Sequence, residues 1–199
     1  MADARERSWE RCAAAGDELA AVRWAVERLR RGALDPRRLR LAARLGDPLA
    51  RRLVGGGAPP PPDLEALLRS LGRWDGTPWG RAAVAAAEAA LPHWEPRARV
   101  ARKRSSARER AAARGYLDAA RAFLACPCPR HEGALRARRP PPGARFLRGL
   151  EDAARHEVPE RPRAARATIR ASARVAGEAP VREAVRADLL GWALADPRR

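Results

Sequence analysis

Cys126-Pro127-Cys128-Pro129-Arg130-His131 places two thiols and an imidazole within six residues. Thiolate and imidazole are the ligands of zinc and of softer cations. A structural zinc site takes four of them, commonly as two separated pairs with C-x2–4-C spacing. Here the spacing is C-x-C and the second pair is missing; Cys12, His93 or His156 could complete a set only through the fold. The segment therefore reads as a proline-stiffened loop whose cysteines pack as small apolar groups. No metal and no cofactor are expected. Three cysteines are an odd count, and the first twelve residues carry charges throughout with no apolar run. A reduced, cytoplasmic protein without a membrane span is the expectation.

Other chemistry finds little footing. The serines are Ser8, Ser70, Ser105, Ser106 and Ser172, none in a G-x-S-x-G setting. The three histidines are scattered, and neither H-E-x-x-H nor a paired-carboxylate motif occurs. Gly55–Pro62, GGGAPPPP, lacks the Lys-Ser or Lys-Thr that a phosphate loop needs after its glycines. It reads instead as a linker, flexible at the glycines and polyproline-like beyond them. No catalytic residue is assigned, and the chain is expected not to be an enzyme.

The element that must position the cysteine pair is the segment before it, Ala107–Ala125. Ala113, Tyr116, Leu117, Ala120, Phe123 and Leu124 recur at three- and four-residue steps. At about 100° per residue they share one arc, which predicts an amphipathic helix buried on that side. Arg104, Arg108, Arg110, Arg114 and Arg121 fall on the other arc. Ser106-Ala-Arg-Glu109 has the spacing of a capping box and predicts the helix start at Ser106. Pro127 and Pro129 predict its stop.

The rest of the chain reads as helices punctuated by Asp, Pro and Gly. A first helix over 4–15 ends at Gly16. Asp17 caps a second, whose Leu19, Val22, Val26 and Leu29 should face inward, with Gly32 as its terminator. Asp35-Pro36 and Asp47-Pro48 each pair a capping acid with proline at the first helical position. Leu39, Leu45, Leu49 and Leu53 follow as buried candidates. Asp63 and Thr77-Pro78 open two more helices, the second mostly alanine, and Pro92 closes it. Phe146, Leu147, Leu150 and Ala154 mark one further helix, Arg163–Ala176 another, and Val181, Val185, Leu189 and Trp192 one face of the last. No segment alternates as a strand would. The expectation is an all-α fold, an irregular helical bundle or a short α-solenoid of helix pairs, divided as 1–57, 58–157 and 158–199.

Charge is the strongest compositional signal. Of 41 basic residues only Lys103 is lysine, Asn and Gln are absent, and the net charge is +17. An arginine-for-lysine bias fits GC-rich codon usage, but the net charge does not follow from it, since Asp and Glu codons remain available. Residues 97–114 carry eight basic and one acidic side chain, whereas 58–96 carry three and five. Such asymmetry favours an anionic partner. The expected binding face is Arg97, Arg99, Arg102, Lys103, Arg104, Arg108, Arg110, Arg114 and Arg121, with exposed Trp or Tyr as anchors. Nucleic acid is the alternative partner to a protein. Without Asn or Gln to read adenine, and with only nine aromatics for stacking, such binding would be backbone-directed and salt-sensitive.

Leu91–Pro96 (LPHWEP) and Tyr116–Cys128 (YLDAARAFLACPC) together resemble Ala-rich helical proteins of GC-rich bacteria related to the immunity proteins of polymorphic toxin systems. In those proteins a helix ends in a Trp-Glu or Phe-Glu turn, a basic segment follows, and then a helix of the form A-[IL]-E-A-A-x-x-W. LAARLGDPLARRLVG, Leu41–Gly55, also looks similar to the leading part of some relatives. The resemblance covers about a third of the chain; Phe123 stands where Trp is usual, and the family's P-x-D-x-R-P-R segment has no counterpart in Pro96–Arg114. It implies a non-enzymatic helical binding protein.

Overall fold

Carboxylates at helix starts and glycines at helix ends set the local structure. Asp17, Asp35, Asp47 and Asp63 each accept a hydrogen bond from an amide two or three residues on, at 2.6–3.0 Å. Each satisfies a donor that the first helical turn leaves open. At the other end, Gly32 sits at φ +68° and donates to Leu29 while Ala33 donates to Arg28. That paired closure needs a left-handed residue, which glycine supplies without strain. The same closure recurs at Gly46, where Asp47 donates to Ala42 (3.0 Å) and also caps the following helix. One residue thus ends one helix and starts the next, which makes the corner tight.

The computed structural model describes residues 4–56, 59–72, 74, 76–94, 103–155 and 161–196, with the backbone alone for 4–6 and 103–106. Among the described residues there are eleven α-helices and no strand. The fold is all-α. Two compact units form, one from 1–61 with 189–199, the other from 62–188. The boundaries expected at 57/58 and 157/158 fall outside the described residues.

The first unit is made of helix pairs. α1 (Ala4–Ala14) packs on α2 (Glu18–Arg30), and α3 (Pro36–Arg44) on α4 (Pro48–Leu53), with the end of α11 (Glu178–Leu194) joining them. Leu34, Leu39, Ala42, Ala43, Ala50 and Ala193 form its buried cluster, with Leu29, Leu53 and Trp192 against it. Arg38 lies 4.2 Å from the Trp192 ring, and Arg28 donates to both Ala33 O and Leu194 O. Arg28 thereby satisfies a carbonyl in the loop after α2 and the last carbonyl of α11. On α2 the expectation is corrected at Leu19, which is 60 % exposed; Val22, Val26 and Leu29 are partly buried, and the fully buried residues are Ala20 and Ala25. α2 contacts both α1 and α4.

The second unit is an irregular bundle around α6 (Thr77–Ala90), of which ten of fourteen residues are buried. A helix apolar on all sides belongs inside a core. α10 (Arg161–Ala176) lies along it, and α7 (Lys103–Ala125) and α9 (Leu150–Ala154) pack on its other sides. The buried side chains of α10 are Arg161, Ala165, Thr168, Ile169 and Ser172, three of them small. Thr168 Oγ1 donates to Arg148 O (2.8 Å) and Ser172 Oγ to Thr168 O (2.9 Å), so neither hydroxyl is orphaned. α5 (Leu64–Leu71) receives Glu178 at its first amide (2.9 Å) and pairs Glu65 with Arg170. The single helix expected over Phe146–Ala154 is a 3-10 turn, Arg145–Leu147, then α9, because Gly149 takes φ +80° between them. Phe146, Leu147, Leu150 and Ala154 are nonetheless all buried, and Phe146 meets Trp94 edge to face at 5.7 Å.

No helix among the described residues is long and apolar enough to cross a membrane.

Candidate functional site

The segment carrying both the basic face and the cysteine pair folds as a helical hairpin. α7 buries the expected stripe, Ala113, Tyr116, Leu117, Ala120, Phe123 and Leu124. Its start differs from expectation: the helix begins at Lys103, so Ser106 is interior and not a cap. Pro127 and Pro129 do end α7 at Ala125, but Pro129 also opens a helix that periodicity did not suggest, α8 (Pro129–Arg136). Cys128 is its N-cap residue, extended at φ −108°, ψ 160°, as a residue before proline should be. The overlooked signal is a proline at the first helical position, the same one that Asp35-Pro36 displays. α8 runs back along α7, and Arg138 Nε stands 3.7 Å from where a Cβ on Gly115 would be.

The structure sorts the arginines of α7 into two groups. Arg108, Arg110 and Arg114 are exposed. Arg108 and Arg114 make no ion pair among the described residues. Arg121, by contrast, is half-buried and tied to carboxylates of the same unit. Its Nε donates to Glu88 Oε1 (2.7 Å), its Nη2 to Glu88 Oε2, and its Nη1 to Asp188 Oδ1 (2.9 Å). Those bonds, Glu88's first, hold its guanidinium above the ordinary arginine value. Arg97, Arg99 and Arg102 lie outside the described residues, and Lys103 and Arg104 belong to the first turn of α7. No described Trp or Tyr is exposed, so the aromatic anchors expected on this face are absent among the described residues. Trp79 and Trp94 are core, and Trp79 Nε1 donates to Trp74 O (3.0 Å).

Tyr116 faces α9, and burial together with the charge of Glu151 pushes its phenol up to about 12 from an ordinary value of 10. Between those values the unfolded chain loses the phenolic proton while the folded chain keeps it. The unfolded state then binds fewer protons, so stability falls as pH rises from 10 towards 12. Tyr116 is the only tyrosine. Tyrosinate absorption should therefore appear near pH 12 in the folded protein, and Tyr116→Phe should flatten the alkaline loss of stability. A tyrosinate titration centred on 10 with the fold intact would contradict this burial.

At the hairpin tip the two cysteines are not packed as small apolar groups. Cys126 is exposed and Cys128 partly so. The Cys128 amide donates to Cys126 O (2.8 Å), closing a three-residue turn on Pro127. His131, one turn into α8, brings Nδ1 to 3.0 Å from Cys126 O and 3.4 Å from Cys128 Sγ. The His131 amide, then the Cys126 thiol, pull the Cys128 thiol below its ordinary value, while the hydrogen bond to Cys128 pushes Cys126 up. One sulfur of the pair is thus the easier thiolate. Cys12 belongs to the first unit and His156 lies outside the described residues.

No protein-family model matches the chain, and neither a curated protein nor a solved structure matches it. The likeness to immunity proteins rests on the residues quoted for it.

Proposed function

We propose that this chain is a non-catalytic helical protein-interaction module, of the kind that inhibits or shields a partner, and that the α7–α8 hairpin offers its basic side to an acidic protein surface. The observation that carries the reading is the division of the arginines. Within 62–188, Arg81, Arg121, Arg155 and Arg170 are engaged by carboxylates of the same unit. Arg108 and Arg114 are exposed with no such partner among the described residues. Charges not consumed by the fold are the ones available to steer association, and like-charged surfaces are rejected by the same field. The resemblance to immunity proteins supports the class. The sign of the charge supports an acidic partner.

The test is a photo-crosslinker at exposed Ala111, used in the native host with wild type and with Arg108→Glu/Arg114→Glu. The expected result is an acidic protein captured by wild type, with affinity for the purified partner reduced roughly tenfold or more by the double reversal at an unchanged melting temperature. Duplex DNA and RNA are titrated in parallel from low to physiological salt. Binding that falls steeply with salt and vanishes in the double variant, with no protein captured, would reassign this face to nucleic-acid backbone.

A further inference from the structure

Independently of the reading above, the hairpin tip has the geometry of a metal site. We infer that Cys126, Cys128 and His131 form a three-ligand site for a zinc-class cation, with a fourth coordination position open to solvent. The ligand atoms of the three residues lie within 4.8 Å of one another. A tetrahedral zinc holds sulfur at about 2.3 Å and nitrogen at about 2.0 Å, which sets sulfur to nitrogen at roughly 3.5 Å and sulfur to sulfur at roughly 3.8 Å. Cys128 Sγ to His131 Nδ1 is 3.4 Å, so that edge already has the required length. Nδ1 also lies 3.0 Å from Cys126 O, and the metal must displace that hydrogen bond and its proton.

The C-x-C spacing that argued against zinc is offset by the backbone. Proline fixes φ at 127 and 129, and each proline restrains the cysteine before it to extended geometry. The Cys126 carbonyl is tied to the Cys128 amide, and Cys128 is fixed at the start of α8. Little conformational freedom remains to be lost on binding, which is what preorganisation means for affinity. The third ligand comes from helical spacing: His131 follows Cys128 by three residues, so both belong to the first turn of α8. Binding exchanges the thiol protons, and any proton on Nδ1, for the metal ion; apparent affinity should therefore rise with pH. Two thiolates and an imidazole select zinc and other thiophilic ions over magnesium or calcium. Three protein ligands with one position free is also the count of sites where zinc takes water or an outside donor.

The experiment uses the full chain, purified metal-free and kept reduced with a non-thiol reductant. Cobalt(II) alone is titrated while thiolate-to-cobalt charge-transfer and tetrahedral ligand-field absorption are followed, then zinc is added. One equivalent of cobalt should develop both bands, and zinc should erase them. Cys126→Ala, Cys128→Ala and His131→Ala should each weaken binding by about tenfold or more, while Cys12→Ala leaves it unchanged. Cys128→Ser, which places a favoured N-cap residue at the start of α8, repeats the test with that helix preserved, and melting of each metal-free variant confirms the fold. Absence of the charge-transfer band, unchanged affinity in His131→Ala, or a requirement for Cys12 would each overturn the assignment.

Discussion

Gly80→Ala is expected to lower the melting temperature by about 5 °C, a loss of about 2 kcal/mol. On an exposed helix the same change would stabilise by roughly 0.5–1 kcal/mol, because alanine is the better helix former. At Gly80 the added carbon would stand 2.7 Å from Leu124 Cδ2, 2.8 Å from Ala153 O and 3.3 Å from Ala154 Cα. Leu124 can rotate away, but Ala153 O and Ala154 Cα are backbone of α9 and cannot yield without moving that helix. Backbone contact therefore decides the sign. Gly80→Val should cost more. Gly133→Ala on α8 and Gly191→Ala on α11 serve as controls, because nothing lies within 4 Å of either new carbon; both should be neutral or slightly stabilising. An unchanged or raised melting temperature for Gly80→Ala would show that α6 and α9 are not in contact at this point.

Gly80 also shows what the sequence makes legible and what it hides. The alanine run after it announces a helix that neighbours can approach closely, and α6 is that helix. Nothing local says that it occupies the centre of its unit, since that depends on α7, α9 and α10 meeting there. Caps were readable because the interaction spans two or three residues: Asp17, Asp35, Asp47 and Asp63 each reach an amide in their own first turn. The buried arc of α7 was readable for the same reason, as periodicity is a property of one helix. The outward position of Leu19 is not legible locally, because the inward face of α2 is chosen by its neighbours α1 and α4. In the candidate metal site, the three ligands were visible in the sequence. Their convergence was not, because it requires α8, and α8 requires reading Cys128-Pro129 as a helix start.

The ion network behind α7 was beyond any local reading, since its partners are 33 to 107 residues apart. Asp188 is its centre. Its carboxylate accepts two hydrogen bonds from Arg81, at 2.9 and 3.0 Å, and a third from Arg121 at 2.9 Å. α6, α7 and α11 are thereby joined at one carboxylate. The Asp188 side chain is 12 % exposed and that of Arg81 19 %. Asp188→Ala should cost about 2–4 kcal/mol, because it strands a largely desolvated guanidinium beside its former acceptor. Glu88→Ala removes only the outer partner of Arg121, which is 42 % exposed and keeps Asp188, so about 1 kcal/mol is expected. Asp188→Leu combined with Arg81→Met should recover part of the loss, since two matched apolar groups leave no charge unpaired. Raising the salt concentration should hardly weaken this network. It should weaken Glu65–Arg170, whose side chains are about half exposed. Equal losses in Asp188→Ala and Glu88→Ala would mean that the network is solvated throughout. Arg121 would then be a surface charge like Arg108 and Arg114, and would count with them as part of the binding face.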